Sequence, residues 1–231
     1  MAKRITKKIT IVGCGPGAIN YITPAGLECI HNADVLIGSK RLLDTFPLIK
    51  SGAEKIKIEK NYRPLLNKII LLSRTKNVVI LVSGDPGFYS YARLVIEKLG
   101  RANCNIIPGI SSVQFAFASI GKSWHDAHFV TLHGRQKGID GLIKAVKKHD
   151  TVAALIDKSI SLKTLAHELL MAGITKRKIF VCENLSLPDE RVREFNPVSL
   201  QSADADGLNV IIILNQSCHS ERSEESRPYK R

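Results

Sequence analysis

The sequence predicts an α/β protein of two domains, the first with a mostly parallel sheet and the second with a mixed sheet. Apolar runs of strand length alternate with helical segments up to residue 120. After Asn77, the run 77–82 (NVVILV) is entirely apolar, which is typical of a parallel strand covered on both faces. A turn cluster at 121–126 interrupts the alternation, which then restarts. We therefore expect domains at 1–120 and 121–215, with a cofactor cleft between them.

The first domain is predicted to contain five strands that alternate with helices. A buried strand at 9–14 leads into a Gly/Pro turn, and Thr23 and Pro24 then favour the start of a helix at 23–32. The remaining elements follow in chain order: strand 34–37, strand 54–58, helix 63–73, strand 77–82, helix 90–99, strand 103–107 and helix 111–120.

The second domain begins with the same alternation and then loses it. Its predicted elements are strand 127–132, helix 138–148, strand 151–156, helix 161–172, strand 178–183, and strands 191–195 and 208–214. Because loops and no helix separate the last two strands, we expect them to be antiparallel neighbours. The final segment 216–231 is polar, mixed in charge and without apolar periodicity, so we expect a disordered tail there.

Composition excludes several classes of protein. The chain has 231 residues, of which 44% are hydrophobic, so it can bury a core. No apolar run reaches the ~18–20 residues of a membrane span, and the basic amino terminus precedes a strand rather than a signal-peptide core. Five scattered cysteines without a C-x-x-C pair indicate a reducing cytoplasm, with neither a disulfide framework nor a metal site.

The formal charge of +13 is the unusual feature of the composition. Apart from the termini, the basic excess includes three short groups, which indicate either solvated surfaces or a field for an anionic partner. A nucleic-acid partner would need a recognition motif or stacking aromatics, and aromatic residues make up only 6% of the chain. A small polyanion fits at least as well. The groups are Lys55/Lys57/Lys60/Arg63, Lys144/Lys147/Lys148 and Lys176/Arg177/Lys178.

The first glycine-rich loop, GCGPGA at 13–18, satisfies the G-x-G-x-x-G/A spacing of dinucleotide-binding proteins. Lys40 and Arg41 follow the second strand and could bind a 2′-phosphate, which keeps an NADP-dependent reductase open. Against this reading, Pro16 and Gly17 move the helix start to about Thr23. The pyrophosphate would then lose the helix N-terminus that the motif normally supplies.

Two further loops leave strands at the end where open parallel sheets bind ligands. The loop SGDPGFYS at 83–90 contains Asp85, whose carboxylate could accept from a ribose hydroxyl, while Gly84 and Gly87 permit close approach of the backbone. A purely structural Gly-Asp-Pro-Gly turn is the alternative. In the loop IPGISSVQ at 107–114, Ser111 or Ser112 could equally serve as a helix N-cap.

Together the three loops resemble the tetrapyrrole (corrin/porphyrin) methylase family, over approximately residues 9–214. The resemblance is carried by GCGPG at 13–17, SGDP at 83–86 and PGISS at 108–112. PGISSVQ, Trp124 and TLHGR at 131–135 look most like the branch that methylates carbon 5 of a corrin-ring precursor in cobalamin biosynthesis. Longer relatives carry a fused decarboxylating C15 half, for which the sequence after Leu214 leaves no room, so a separate C15 subunit is expected.

The resemblance implies S-adenosylmethionine as methyl donor, a homodimer, and a corrinoid substrate whose many carboxylates suit a basic protein. It also implies a tetrapyrrole bordered by Gly13, Gly15 and Gly17. One departure is Ser39, which stands where the uroporphyrinogen methylases carry an Asp, so that family's base mechanism is not transferred. The cofactor-binding residues implied are Pro16, Ser83, Gly84, Asp85, Phe88, Ser111, Ser112, and, from the second domain, Ile156 and Leu185.

His133 and Arg135 are the residues expected to contact the substrate. A histidine can move a proton near neutral pH, and an arginine can bind a propionate through two hydrogen bonds. A histidine satisfied at a strand end and a surface salt bridge are the structural alternatives. Three functions therefore stand at this point: a corrin methylase, an NADP-dependent oxidoreductase, and a basic nucleic-acid-binding protein.

Overall fold

A computed structural model describes residues 8–45, 52–59, 63–132, 138–156, 160–205 and 209–215. By its internal contacts the chain forms two compact units. The N-terminal unit comprises Met1–Lys122 and Asn184–Glu190, and the C-terminal unit comprises Ser123–Glu183 and Arg191–Arg231. Each unit is built on one five-stranded sheet, so the predicted fold class is confirmed.

The sheet of the N-terminal unit is parallel throughout, in the order β3-β2-β4-β1-β5. Every parallel connection needs a crossover, and helices supply most of them. The strands are β1 (Ile9–Gly13), β2 (Val35–Gly38), β3 (Glu54–Lys57), β4 (Val78–Val82) and β5 (Cys104–Ile107). The helices are α1 (Pro24–His31), α2 (Lys40–Thr45), α3 (Arg63–Leu72), α4 (Ala92–Leu99) and α5 (Ser112–Ser119).

Strand β4 is buried at all five positions, as its unbroken apolar sequence predicts. Because successive side chains point to opposite faces, the sheet contributes side chains to two separate hydrophobic cores. Ile11 and Ile80 pack into one core, while Val12 and Leu81 pack into the other. Because both faces of the sheet are buried, its accessible part is the set of loops at the ends of the strands.

Helix α2 was not predicted, because its sequence KRLLDT follows a Gly-Ser turn and is only six residues long. Leu42 and Leu43 are buried against the sheet. The Ser39 hydroxyl accepts a hydrogen bond from the Leu42 amide at 3.3 Å. Two buried leucines and one local cap are enough to form this turn and a half of helix on the strand end.

The sheet of the C-terminal unit is mixed, in the order β6-β7-β10-β8-β9. Strands β6 and β7 are parallel, while β10 runs antiparallel to both β7 and β8. The elements are β6 (His128–Thr131), α6 (Gly138–Lys148), β7 (Thr151–Ile156), α7 (Leu162–Met171), β8 (Arg177–Glu183), β9 (Arg191–Phe195), a 3₁₀ turn at Ser199–Ser202, and β10 (Asn209–Asn215).

The expectation that the last two strands are neighbours is wrong. Strand β10 lies between β7 and β8, and β9 pairs with the far edge of β8. Burial explains the difference: the first five residues of β10 (NVIIILN) are all buried, whereas β9 (RVREF) has no fully buried residue. A strand buried on both faces is stabilised at the centre of a sheet, and a charged strand is tolerated at its edge.

No helix in the described ranges combines the length and apolar character needed to cross a membrane. The predicted tail at 216–231 lies outside the described residues.

Candidate active site

The three glycine-containing loops follow β1, β4 and β5, which are neighbours in the N-terminal sheet. They therefore meet at one edge, the carboxyl edge of parallel strands. The loops after β1 and β4 pair directly: the Gly84 amide donates to the Gly15 carbonyl at 2.9 Å, and the Gly15 amide to the Gly84 carbonyl at 3.3 Å. Both glycines have a positive φ, 72° at Gly15 and 64° at Gly84. Residues that carry a side chain rarely adopt this backbone conformation.

The three loops touch through backbone atoms at Gly13, Gly84 and Gly109. A Cβ on Gly109 would lie 2.5 Å from the Gly84 oxygen and 2.6 Å from the Gly13 oxygen. A Cβ on Gly13 would lie 2.6 Å from the Gly109 nitrogen. Glycine is thus required at positions 13 and 109 because the loops touch there, whether or not a ligand binds. The predicted role of Gly13, Gly15 and Gly17 at the tetrapyrrole stays a prediction.

Asp85 connects two of the loops through its carboxylate. Its Oδ2 accepts a hydrogen bond from the Gly109 amide at 3.1 Å, and its Oδ1 accepts one from the Gly87 amide at 2.7 Å. The residue is half-buried, so the carboxylate is reachable from solvent. Each oxygen can accept more than one hydrogen bond, so Asp85 can hold the loops and still accept from a ligand.

The two serines of the third loop have different environments. Ser111 is 7% exposed and caps α5, where its hydroxyl accepts from the Val113 amide and its own amide donates to Gln114. The N-cap alternative is therefore confirmed for Ser111. Ser112 is half-buried, and its hydroxyl has no hydrogen-bond partner among the described residues. Of the two hydroxyls, that of Ser112 is the one available to a ligand.

Ser83 and Phe88 complete the loop after β4. The exposed Ser83 hydroxyl accepts a hydrogen bond from Arg41 Nη2 at 2.6 Å. Phe88 is half-buried and meets the ring of Tyr89 edge to face, with centroids 4.8 Å apart. Sequence reasoning considered Arg41 only as a phosphate ligand, because nothing local indicates that it reaches the β4 loop.

The loop at 184–190 packs on the loop after β1. The Ala18 amide donates to the Ser186 hydroxyl at 2.9 Å. A Cβ on the buried Gly17 would lie 3.0 Å from the Leu185 oxygen. Leu185 is 5% exposed and belongs to the N-terminal unit, not to the second domain from which it was expected. The neighbouring Pro16 is half-buried.

Of the three remaining predicted site residues, one lies in the part of the chain that the structure describes. Ile156 ends β7, is 1% exposed and packs in the core of the C-terminal unit, so its side chain is not available to a ligand. His133 and Arg135 lie outside the described residues.

Cys14, the cysteine at the end of β1, is unsuited to nucleophilic chemistry. It is 2% exposed, and burial raises the pKa of its thiol from 9.0 to about 12, although the charge of Arg41 acts in the opposite direction. A thiol with such a pKa stays protonated at neutral pH.

The geometry also weakens the dinucleotide interpretation of the first loop. A 3₁₀ turn at Ile19–Tyr21 intervenes, and α1 begins only at Pro24, where the Thr23 hydroxyl caps it. The glycines at 13–17 consequently lack the helix N-terminus that would bind a pyrophosphate. This confirms the predicted helix start and removes the main support for a reductase.

The fold and its edge define a class: α/β proteins that bind a small ligand over glycine loops at the carboxyl ends of neighbouring parallel strands. The particular family follows from comparison. The model of the tetrapyrrole (corrin/porphyrin) methylases matches residues 8–199, and the chain belongs to that family. Membership favours the methylase prediction over the reductase and nucleic-acid alternatives.

Three similar proteins narrow the comparison. The cobalt-precorrin-7 C(5)-methyltransferase of Salmonella typhimurium is 35% identical over 208 residues, covering 90% of this chain and 99% of that protein. The probable cobalt-precorrin-7 C(5)-methyltransferase of Methanocaldococcus jannaschii is 34% identical, with coverages of 88% and 96%. The structure of uroporphyrin-III C-methyl transferase from Thermus thermophilus, complexed with S-adenosylhomocysteine, matches with a TM-score of 0.71, 20% identity, and coverages of 89% and 91%.

Proposed function

We propose that this chain transfers a methyl group from S-adenosylmethionine to carbon 5 of a corrin-ring precursor, cobalt-precorrin-7 or precorrin-6Y, in cobalamin biosynthesis. The observation that carries the proposal is the meeting of three glycine loops on β1, β4 and β5, in a chain that aligns almost end to end with a C(5)-methyltransferase. The shared fold of a methylase complexed with S-adenosylhomocysteine supports the choice of methyl donor.

The residues at the carboxyl edge fit such a donor. The Asp85 carboxylate has acceptor capacity left after binding the amides of Gly87 and Gly109, and it can accept from ribose hydroxyls. The hydroxyl of Ser112 is half-buried and available. Phe88 offers a partly exposed aromatic face. Together these groups would offer partners for the hydroxyl and apolar parts of a nucleoside-containing cofactor.

The cofactor, when bound, supplies a methyl group on a sulfonium. Such a methyl group could pass to a nucleophilic ring carbon, whose electron pair would form the new carbon–carbon bond while the pair of the sulfur–methyl bond would remain on sulfur. The protein's task is to position the reactants in line and to exclude water. Asp85 serves this task indirectly as well, because it fixes the distance between the β4 and β5 loops.

We further propose that His133 and Arg135 contact the substrate, that the protein works as a cytoplasmic homodimer, and that a separate subunit performs the C15 step. The resemblance of TLHGR at 131–135 supports the two substrate contacts, and the scattered cysteines support a cytoplasmic location. The homodimer and the separate C15 subunit are what the resemblance to the family implies. Size-exclusion chromatography with light scattering tests the dimer.

Incubation with S-adenosylmethionine and cobalt-precorrin-7, followed by mass spectrometry, tests the proposed reaction. We expect the tetrapyrrole to gain one methyl group, and isotope-labelled methyl followed by carbon NMR to place it at carbon 5. Cobalt-precorrin-4 provides the matched control substrate, because it also carries cobalt and is the substrate of a methyltransferase that acts at carbon 11. Methylation of the control alone, or of neither compound by a protein that binds S-adenosylhomocysteine, would contradict the proposal.

The Asp85→Asn variant tests the cofactor role, since an amide keeps the shape but replaces one acceptor oxygen by a donor. We expect the dissociation constant for S-adenosylhomocysteine to rise at least about tenfold, the size of one charged hydrogen bond. Unchanged affinity by calorimetry would remove Asp85 from the binding site.

A further inference from the structure

Arg41 is held at the carboxyl edge of the N-terminal sheet by a short, well-anchored helix. Helix α2 follows β2 after a single residue, and buried Leu42 and Leu43 fix it to the core. The position of Arg41 is therefore set by the fold rather than by a flexible loop.

The Arg41 side chain reaches across the strand ends. Its Nη2 donates to the Ser83 hydroxyl at 2.6 Å, which connects the segment after β2 to the loop after β4. Its charge also acts on Cys14 at the end of β1. Strands β2, β4 and β1 are consecutive in the sheet, so the guanidinium lies beside the glycine loops of the candidate active site.

The charge of Arg41 is not neutralised by any carboxylate in the described part of the chain, although other basic residues near it are paired. Its neighbour Lys40 forms an ion pair with Asp44 at 2.5 Å, and Lys57 pairs with Glu59 at 3.1 Å. Arg41 is exposed, and Ser83 is a neutral acceptor that uses one of its five N–H groups. The remaining donors and the full positive charge face an accessible edge.

We propose that Arg41 binds a carboxylate of the bound reactants. A guanidinium presents paired N–H donors that match the two oxygens of a carboxylate, and the Ser83 hydrogen bond orients the fork in advance. The proposal rests on the proposed function, because the carboxylate would belong to one of its two reactants. It would be either a side-chain carboxylate of the ring or the amino-acid carboxylate of the cofactor. Nothing in the sequence motif of the glycine loops includes this residue.

The test compares Arg41→Gln with Lys40→Gln, a matched loss of one positive charge from the same helix. Binding is measured with two probes, S-adenosylhomocysteine for the cofactor and uroporphyrin, an eight-carboxylate tetrapyrrole, for the ring. We expect Arg41→Gln to weaken one of them at least about tenfold, because a charge-assisted hydrogen bond is lost. Lys40→Gln should stay within about twofold for both. The probe that loses affinity identifies the source of the carboxylate.

Two more variants separate binding from support of the loop. Ser83→Ala removes the hydrogen bond but keeps the guanidinium, and should weaken the affected probe less than Arg41→Gln does. Arg41→Lys keeps the charge without the fork and should recover part of the loss. If Arg41→Lys recovers none of the loss, or if Arg41→Gln binds both probes like the wild type, the proposal is wrong.

These outcomes are independent of methyl transfer. A wild-type protein that binds both probes but methylates no corrin precursor would overturn the proposed function, while the binding comparison would still decide the role of Arg41.

Discussion

The carboxyl edges of the two sheets are built in opposite ways. In the N-terminal unit the edge is built from backbone: Gly13, Gly84 and Gly109 approach so closely that no side chain fits between them. In the C-terminal unit the equivalent end of β8 is built from charge. Glu183 is completely buried there, with Arg191 Nη2 at 2.8 Å and Arg193 Nε at 3.0 Å.

The difference indicates which edge is organised for ligands. Contacts between backbones consume few side-chain groups, so Asp85, Ser112 and Arg41 stay available at the N-terminal edge. At the C-terminal edge Glu183 and its two arginines satisfy one another, and Arg193 Nη2 binds both Glu183 and the Asp204 carbonyl. We therefore expect mutations at the first edge to affect stability and ligand binding together, and mutations at the second to affect mainly stability.

The largest effect is expected from Gly109→Ala. The added methyl group would meet the backbone oxygens of Gly84 and Gly13 at 2.5 and 2.6 Å. Gly13 ends β1, and Gly84 is hydrogen-bonded to Gly15, so relief of either contact disturbs the pairing of the loops. We expect the free energy of unfolding to fall by about 3 kcal/mol, at the upper end for overpacking. Affinity for S-adenosylhomocysteine should fall with it. Urea unfolding and calorimetry measure the two quantities.

Gly141→Ala is the matched control for this prediction. Gly141 lies inside α6, and no atom comes within 4 Å of its added Cβ. Alanine should stabilise the helix there by about 0.5–1 kcal/mol. If Gly109→Ala is as harmless as this control, the loops can separate freely and the comparison between the two edges fails.

The next largest effect is expected from Glu183→Gln. Losing the charge leaves two arginines without their shared partner, which typically costs about 3–5 kcal/mol when all groups are buried. Arg191 and Arg193 are 52% and 33% exposed, so water compensates them in part. We expect a loss of about 2 kcal/mol in unfolding free energy, with the affinity of the folded protein for S-adenosylhomocysteine within about threefold of wild type.

The exposed Glu194 of the edge strand β9, which pairs with Lys178 of β8 at 2.9 Å, provides the control. Glu194→Gln should change stability by no more than about 0.5 kcal/mol, as is usual for surface pairs. A large loss of cofactor affinity in Glu183→Gln would show that the C-terminal edge also serves ligand binding, against the comparison drawn above.

A smaller effect is expected from Ser111→Ala, which removes the N-cap of α5 and half of its capping box with Gln114. Such caps contribute about 1 kcal/mol. Ser119→Ala at the exposed end of the same helix is the control and should be nearly neutral. If Ser111→Ala leaves stability unchanged but weakens binding of S-adenosylhomocysteine, the Ser111 hydroxyl serves the ligand rather than the helix.

Sequence reasoning succeeded where the deciding pattern was local. The unbroken apolar run of β4 and the Thr23-Pro24 helix start were both predicted, because burial and capping act within a few residues. The glycine loops were located for the same reason. Their mutual contacts could also be anticipated, since carboxyl ends of parallel strands meet at one edge.

It failed where partners far apart in the chain decide the structure. Strand β10 enters the centre of its sheet because of burial relative to β9, a property of the assembled unit. Leu185 was assigned to the second domain by its position in the chain, but it packs on Gly17 of the first. Arg41 reaches Ser83 across 42 positions, and its neighbours in sequence carry no sign of that hydrogen bond.

The smallest predicted effect concerns the opposite edge of the C-terminal sheet, where His128 and His149 stack with ring centroids 4.3 Å apart. Burial lowers the pKa of His149 from 6.5, and the nearby His128 and Lys148 lower it further. The unfolded chain therefore takes up its proton at higher pH than the folded one, so stability is complete above pH 6.5 and declines as the pH falls through that value towards the lowered pKa. Thermal unfolding between about pH 5 and 8 should show this decline, and His149→Gln should reduce it. An unchanged slope in that variant would assign the decline to groups other than His149.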